Sequence, residues 1–434
     1  MGLGQGAATG GWAPWYARPR ALQAMTLLLA LLLLANAVLS LFFKVTDFEW
    51  HLQKGHDFWT LRPYPDKAIT YLLPRFLLDG LVAWMEPRWA RAVVYPLAVA
   101  LLAWSALTCR RLAAQPGDPP WLFWPPLLLA LLVIHPYLAR DLNDCGPQIV
   151  TLACLLGAYL ALRGRRPWLA GLLLATAIVW KVTPALFLGY LLLKRQWSAL
   201  AATLLFTGLW LLLPALVLGL DQTLAVYRQW GGQLVWMLGQ ADLTVSHIEP
   251  PRHHNQGLRL LVARYTMDFG PEHPIHRDGN LSGHPLYVTF LELAPAQAQR
   301  VYQAVVLGLG ALFAWRFRHR WSDARAGSEL REWSAVLLLM TLLSPLAWLQ
   351  HFAVALPAAV IVARDLLLTR GGGWRPWLAG CIAVVLLLLQ RDVVQRELSL
   401  LVLSYKLDAF AMWGLVALVL LPPPPRSSCR SDPP

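Results

Sequence analysis

The sequence predicts an all-α, polytopic membrane protein with about 12 transmembrane helices, two of them a short hairpin, and interfacial helices in its outer loops. Three observations carry this expectation. Only 14% of the 434 residues are charged and 57% are hydrophobic, whereas a soluble domain carries roughly 25% charged residues. Leu-rich runs recur along the whole length, and the mean hydropathy is +0.48. The runs are continuous rather than alternating, which argues against a β-barrel.

In order, the first span, 25–43, follows Arg18 and Arg20. Its length suits an uncleaved signal anchor, and no small-residue cleavage site follows. The polar stretch 44–66 comes next, with carboxylates, histidines and tryptophans set against the end of an apolar helix. Residues 68–86 are apolar but contain Pro74, Arg75 and Asp79, so they read as one interfacial or re-entrant helix on the outer face. Spans follow at 90–110, 120–138 and 147–163. Residues 168–194 must start and finish on the same side, so they form two short helices broken at Lys181-Val-Thr-Pro184. Further spans lie at 198–219, 299–316, 333–349, 351–366, 374–390 and 402–421. Residues 1–421 make one membrane-embedded domain, and the Pro- and Ser-rich 422–434 reads as a disordered cytoplasmic tail.

Short loops rich in Lys and Arg mark the cytoplasmic side: Arg110/Arg111, Arg163/Arg165/Arg166, Lys194/Arg195, Arg316/Arg318/Arg320 and Arg370/Arg375. Both termini then lie inside, and the net charge of +13 falls on that side. A plasma-membrane protein of bacterial inner-membrane type is the expected setting. Nucleic acid is a poor partner, because the basic residues are scattered over short loops. The five cysteines show no paired spacing, so neither a disulfide framework nor a zinc site is implied. Most of the 22 tryptophans suit interfacial anchoring.

Chemistry concentrates on the outer face. Asp47 lies just beyond the first span, beside Phe42, Phe43 and Phe48, where a partly apolar setting raises a carboxylate toward a useful range for a base. The alternative is that Asp47 only caps the next helix. Lys181 sits in the apolar run ATAIVWKVTPALF. A cation there costs roughly 3 kcal/mol, which makes it a functional candidate for a lipid-linked phosphate. The alternative is a lysine snorkelling to headgroups. His351 follows Ser344-Pro345 at a helix boundary and suits phosphate binding or proton transfer, or a structural role. Arg140 offers a second cation. Gln148, Asn255, Gln256 and Gln350 offer amides for hydroxyl groups, although amides also cap helices. The loop 220–298 holds six of the 11 histidines, among them His247, His253 and His254, but their H-x5-H-H spacing matches no specific metal motif. No metal or cofactor is expected.

The order of these segments resembles the polyprenol-phosphate-sugar-dependent transferases of glycosyltransferase family 87, of the GT-C fold class. Asp47-Phe48, Gly55 and Pro63-Tyr64 match its first-loop pattern, and Tyr71 with Pro74 its Y-x-P-P-rich stretch. Gly146-Pro147-Gln148 resembles its G-Q opening with one insertion. Leu169-Ala-Gly171 through Lys181-Val-Thr-Pro184 resembles its AG…K-L-T-P hairpin. Asn255-Gln256, with Leu258-Arg259, resembles its N-Q-S-L segment, with Gly257 in place of Ser. Ser344-Pro345 with Trp348 and His351 resembles its S-P-x-x-W-x-H-H, with Gln350 in place of the first His. The resemblance covers most of residues 44–366.

It implies transfer of mannose or a related sugar from a polyprenyl-phosphate donor to a lipid or glycan acceptor. Asp47 would be the base, His351 essential nearby, and Lys181, with Arg140, at the donor phosphate. Tyr64, Gln148, His254, Asn255, Gln256 and Gln350 would complete the substrate site. The alternatives from other classes are a lipid or solute transporter or flippase, and a membrane scaffold. Consumption of donor by purified protein separates the enzyme from the transporter. A scaffold has no use for Lys181 in an apolar run.

Overall fold

The computed structural model describes residues 18–42, 46–61, 71–246, 250–322, 326–369, 373–391 and 393–422. Among them every regular element is helical and no strand occurs. The tail beyond 422, Tyr64 and His247 lie outside the described residues.

The helices are α1 (Pro19–Phe42), α2 (Asp47–Trp59), α3 (Leu73–Asp79), α4 (Pro87–Ala113), α5 (Pro125–Asn143), α6 (Pro147–Arg163), α7 (Pro167–Trp180), α8 (Leu186–Leu193) and α9 (Trp197–Leu212). They continue with α10 (Ala215–Leu218), α11 (Leu220–Gly239), α12 (Leu258–Thr266), α13 (Pro295–Phe317), α14 (Ala326–Leu342), α15 (Leu356–Leu368), α16 (Trp374–Ala383), α17 (Arg396–Ser404) and α18 (Leu407–Leu420). Many starts are fixed by proline. Pro87, Pro125, Pro147, Pro167 and Pro295 open their helices, where a missing N–H costs nothing and φ is already set.

Five segments are long and apolar enough to cross a bilayer: Pro19–Phe42, Pro87–Ala113, Pro120–Asn143, Trp197–Leu218 and Leu349–Leu368. A sixth is added if α17 and α18, bent by 55°, count as one. Helices α6, α7, α8 and α16 are apolar but shorter, and α13 and α14 fall in neither group. The expected count of about 12 therefore exceeds what helix length and composition support. A run of apolar letters does not reveal where a helix breaks. The 168–194 hairpin does take the expected form: α7, a 3-10 turn at Thr183–Ala185, then α8.

Residues 68–86 are not one helix. Their described part, residues 71–86, holds the seven-residue α3 followed by turns at 80–84. Gly80 follows α3. It presses on α2 so closely that a Cβ at Gly55 would lie 2.5 Å from the Gly80 nitrogen.

The core is formed by α5, α6, α14, α15 and α18, with Tyr137, Tyr159, Trp333 and Phe352 fully buried. Helices α7 and α9 meet through fully buried Ala170, Ala175, Ala199 and Ala202, the small residues that let helices approach closely where no water drives association. Helix α1 is peripheral, and Leu27, Leu31 and Leu34 face outward.

Buried polar groups gather at two opposite ends. At one, Lys194 after α8 pairs with Glu329 (3.0 Å) and Glu332 of α14. Arg316 of α13 reaches Glu332 at 3.0 Å. Arg331 binds Asp365, and Arg364 binds Asp118. At the other end, Arg91 ties the last turn of α1 to α2 and α5.

Candidate active site

Arg91, only 1% exposed, organises the second end. Its Nη1 donates to the Ser40 carbonyl (3.0 Å), the Ser40 Oγ (2.9 Å) and the Asn143 carbonyl (3.1 Å). Its Nη2 donates to Thr46 Oγ1 (3.2 Å) and to the Glu49 carboxylate. Thr46 and Glu49 form a capping box, with the Thr46 N–H donating to Glu49 at 2.8 Å. Thr46, not Asp47, is therefore the cap of α2. Asp47 occupies the first helical position with its carboxylate free of that duty and exposed. Partial burial, then the charge of Glu49, raise its proton affinity above the ordinary value.

The α5–α6 turn supplies the next wall. Gly146 is left-handed (φ +74°), and a Cβ there would meet Ala98 Cβ at 2.7 Å, so glycine alone fits. The inserted Pro147 is accommodated because it opens α6. The next free amides, those of Gln148 and Ile149, donate to the buried Asp141 carboxylate at 3.0 and 2.9 Å. Asp144 follows, half-exposed, facing Thr46 and the Asp47 N–H.

Trp180 fixes the hairpin tip by donating from Nε1 to the Pro147 carbonyl at 3.0 Å. Lys181 then leaves the helix in an extended conformation (φ −155°, ψ 128°), because Pro184 prevents continuation. It is half-exposed and has no salt-bridge partner among the described residues. Asp141, Arg75 and His351 lie within electrostatic reach of it.

Between Asp47 and Lys181 stand Tyr71 and Arg75. The Arg75 guanidinium, 3% exposed, is sandwiched between the rings of Tyr71 (4.8 Å) and Trp180 (4.3 Å). Its Nε donates to Asp79 at 3.0 Å, while its Nη1 is buried without a partner. Burial pushes the Tyr71 phenol up to about 12, and Asp47, Asp144, Asp79 and Arg75 all act on it electrostatically. His51, 3.6 Å from Asp79, is held neutral by burial and then by Arg75.

His351 completes this cluster. Its Nδ1 accepts the Trp348 N–H at 3.1 Å. The neutral ring therefore carries its proton on Nε2 and can only donate from there.

The structure thus sets Lys181 within electrostatic reach of Asp141, Arg75 and His351, and Asp47 within that of Tyr71 and Asp144, while Gln148 takes part through its backbone N–H on Asp141. Arg140 and His254 belong elsewhere. Both lie half-buried beside each other, Arg140 near Asp408 and Tyr137, His254 3.5 Å from Asp278 and against Trp348. Gln350 is half-buried. Asn255 and Gln256, expected to meet hydroxyl groups, are consumed by backbone. Asn255 donates to the Pro345 carbonyl (2.8 Å) and accepts from Ala347 (2.9 Å) and Gly257 (3.0 Å). Gln256, fully buried, donates to His253 (2.9 Å) and Leu403 (3.1 Å) carbonyls. They latch the loop that carries His351. Trp59 is likewise occupied, donating to the Leu77 carbonyl at 3.2 Å, while Trp50 stays 41% exposed. His253 and His276 pair at 3.3 Å, and burial with nearby Lys406 holds His253 down to about 2, so it is a neutral structural residue.

Sequence reading missed Tyr71, Arg75, Asp79 and Arg91 as site groups. An arginine inside an otherwise apolar stretch was the available signal for Arg75.

The model of glycosyltransferase family 87 matches residues 70–345, more than half of the chain. The chain belongs to glycosyltransferase family 87. Neither the comparison with curated proteins nor that with solved structures gave a match. The family 87 match contains Tyr71, Arg75, Asp144 and Lys181, and its ends fall between Asp47 and His351. Membership makes the protein a glycosyltransferase built on membrane helices, with a sugar donor and an acceptor as substrates.

Proposed function

We propose that this family 87 protein is an inverting transferase of GT-C type, with about 12 membrane-inserted helical segments. It moves mannose or a related sugar from a polyprenyl-phosphate donor to a lipid or glycan acceptor at the outer face of the inner membrane. Both termini are then cytoplasmic. The clustering of Arg110, Lys194 and Arg316 at the end away from Asp47 supports that orientation.

The observation that carries the reading is a run of charged groups of both signs between the start of α2 and the hairpin tip. An exposed carboxylate stands at the first position of an interfacial helix, and a lysine without an ion-pair partner stands at the tip of an apolar hairpin, with Tyr71 and Arg75 between them. Asp47 takes the proton of the acceptor hydroxyl as its oxygen bonds to the anomeric carbon. The anomeric carbon–oxygen bond to phosphate breaks on the opposite face, and its electron pair leaves with the lipid phosphate. Lys181 and the His351 Nε2–H receive that charge. Arg75, ordered by its two aromatic neighbours, adds positive potential behind Lys181. Arg140, His254 and Gln350 form the wall assigned to the acceptor's polar groups. Trp50 is the ring available for stacking on a sugar.

The test uses the purified protein with a panel of polyprenyl-phosphate sugars. Donor consumption is expected for one of them. Asp47→Asn is expected to abolish turnover while donor binding persists. Turnover retained in that variant rejects the base assignment, and failure of every polyprenyl-phosphate sugar rejects the donor class.

A further inference from the structure

Tyr71 stands where α2 meets the hairpin tip. Asp47, Trp50 and His51 lie three and four residues apart on α2 and so share one face of that helix. The Tyr71 ring packs on that face, its centroid 6.4 Å from that of Trp50 and 5.0 Å from that of His51. The Arg75 guanidinium lies over the same ring at 4.8 Å and over the Trp180 ring at 4.3 Å, and Lys181 is the next residue. Contacts therefore run from the Asp47 face of α2 through Tyr71 and Arg75 to the hairpin tip. Phe76 meets the Tyr71 ring edge-on at 6.5 Å, and the close packing of Gly55 on Gly80 holds α3 against α2. The ring is thus fixed, but its hydroxyl is not used. Elsewhere the Tyr95, Tyr190 and Tyr227 hydroxyls donate to Asn36 (3.0 Å), Glu329 (3.0 Å) and the Leu211 carbonyl (2.9 Å). In the layer around Tyr71, Trp59, Trp180 and the Arg75 Nε all donate to protein oxygens. Tyr71 is half-buried, and its hydroxyl has no hydrogen-bond partner among the described residues. Such a group is completed by a ligand.

We propose that Tyr71 is a specificity-determining residue of the transfer reaction: its hydroxyl, held by the packing of its ring between the Asp47 face of α2 and Arg75, hydrogen-bonds one hydroxyl group of the donor sugar. The inference rests on a polyprenyl-phosphate sugar as donor, with Asp47 as the base and Lys181 at the phosphate. In an inverting displacement the transferred sugar lies between the attacking oxygen and the departing one. A side chain standing between the base and the phosphate-binding cation therefore touches the sugar itself, not the lipid or the nucleophile. Burial pushes the phenol up to about 12, so the group keeps its proton at neutral pH and acts by hydrogen bonding rather than as a second base. A site that hydrogen-bonds a substrate hydroxyl rejects an analogue lacking it, because its own polar group is then left unpaired.

The experiment compares the wild type with Tyr71→Phe, which keeps the ring on Arg75 and removes only the hydroxyl. kcat/KM is measured with the accepted polyprenyl-phosphate sugar and with its monodeoxy analogues. On the parent sugar the variant is expected to fall by about five- to a hundredfold. The wild type is expected to lose a similar factor on one analogue, and on that analogue the two proteins are expected to agree within about twofold. A variant equal to the wild type on the parent sugar overturns the proposal. So does a loss of the same size on every analogue, which is what a ring that only shapes the site would give. A second measurement needs no turnover. Thermal stabilisation is read with polyprenyl phosphate alone and with its sugar-bearing form. Tyr71→Phe is expected to keep the shift given by the bare lipid phosphate and to lose part of the extra shift given by the sugar. An undiminished extra shift overturns the role of Tyr71 while the donor reading stands. If neither lipid stabilises the wild type, the donor reading fails and this inference falls with it.

Discussion

Gly257 occupies the place where family 87 motifs resembling this one carry Ser, and the structure gives the consequence of restoring it. Its backbone is ordinary (φ −68°, ψ 152°), so conformation is not the obstacle. Space is. A Cβ at Gly257 would lie 2.4 Å from the Ser344 carbonyl oxygen, 3.2 Å from Asn255 Oδ1 and 3.6 Å from Ala347 Cβ. An ordinary contact requires about 1 Å more. The carbonyl cannot move alone, because Asn255 bonds Pro345 and Ala347 and the Gln256 N–H bonds the Ala347 carbonyl at 2.8 Å. Gly257→Ser is therefore expected to cost about 1–3 kcal/mol through overpacking. The displaced loop leads directly to Trp348 and His351, and a shift of about 1 Å at a reacting group costs on the order of 10²-fold in rate. The assay pairs thermal unfolding of the detergent-purified variant with kcat and donor KM. A loss of roughly 2–6 °C, with kcat falling far more than KM changes, is expected. Wild-type kcat and melting temperature in Gly257→Ser, or in Gly257→Ala, would refute the idea that this loop is set by contact at Gly257.

Three further outcomes follow from other parts of the molecule. His351→Asn keeps an acceptor for the Trp348 N–H but removes the Nε2 donor, so it is expected to fold normally and lose about 10²-fold or more in kcat, whereas a purely structural histidine would leave kcat intact. Lys181→Met is expected to raise donor KM and lower kcat together, without the instability that follows loss of one member of a buried ion pair, as read by thermal unfolding. Lys194→Met, at the opposite end, is expected to destabilise by about 3–5 kcal/mol, because it leaves Glu329 buried without its cation and Glu332 with Arg316 alone, with donor KM unchanged in whatever protein folds.

Much of the architecture was legible because membrane insertion leaves a compositional mark. The hairpin break at Lys181-Val-Thr-Pro184 was readable from an unpaired cation and a proline in one apolar run. The capping box Thr46-Asp-Phe-Glu49 was also legible from its spacing. What was not legible depends on contacts distant along the chain. Nothing local distinguishes a substrate amide from Asn255, whose oxygen is taken by Ala347 ninety-two positions on. Arg140 and Arg75 look alike as isolated cations. Only packing puts Arg75 against Trp180, beside Lys181, and Arg140 on the Asp408 wall. Helix length and composition stop short of about 12 spans for a related reason, since α14 carries Glu329, Arg331 and Glu332 in its opening turns, paired with Lys194, Arg316 and Asp365.

The hairpin has a pharmacological corollary. Its two arms, of 14 and 8 residues, extend only about 21 and 12 Å, against a hydrocarbon layer of roughly 30 Å. On the proposed orientation, Lys181 sits below the water boundary while Asp47 remains at it. A sugar mimic dissolved in water would engage only the carboxylate side. A competitive inhibitor reaching both groups has to be an amphiphile that partitions into the leaflet first, and its apparent potency should scale with its membrane concentration rather than its bulk one.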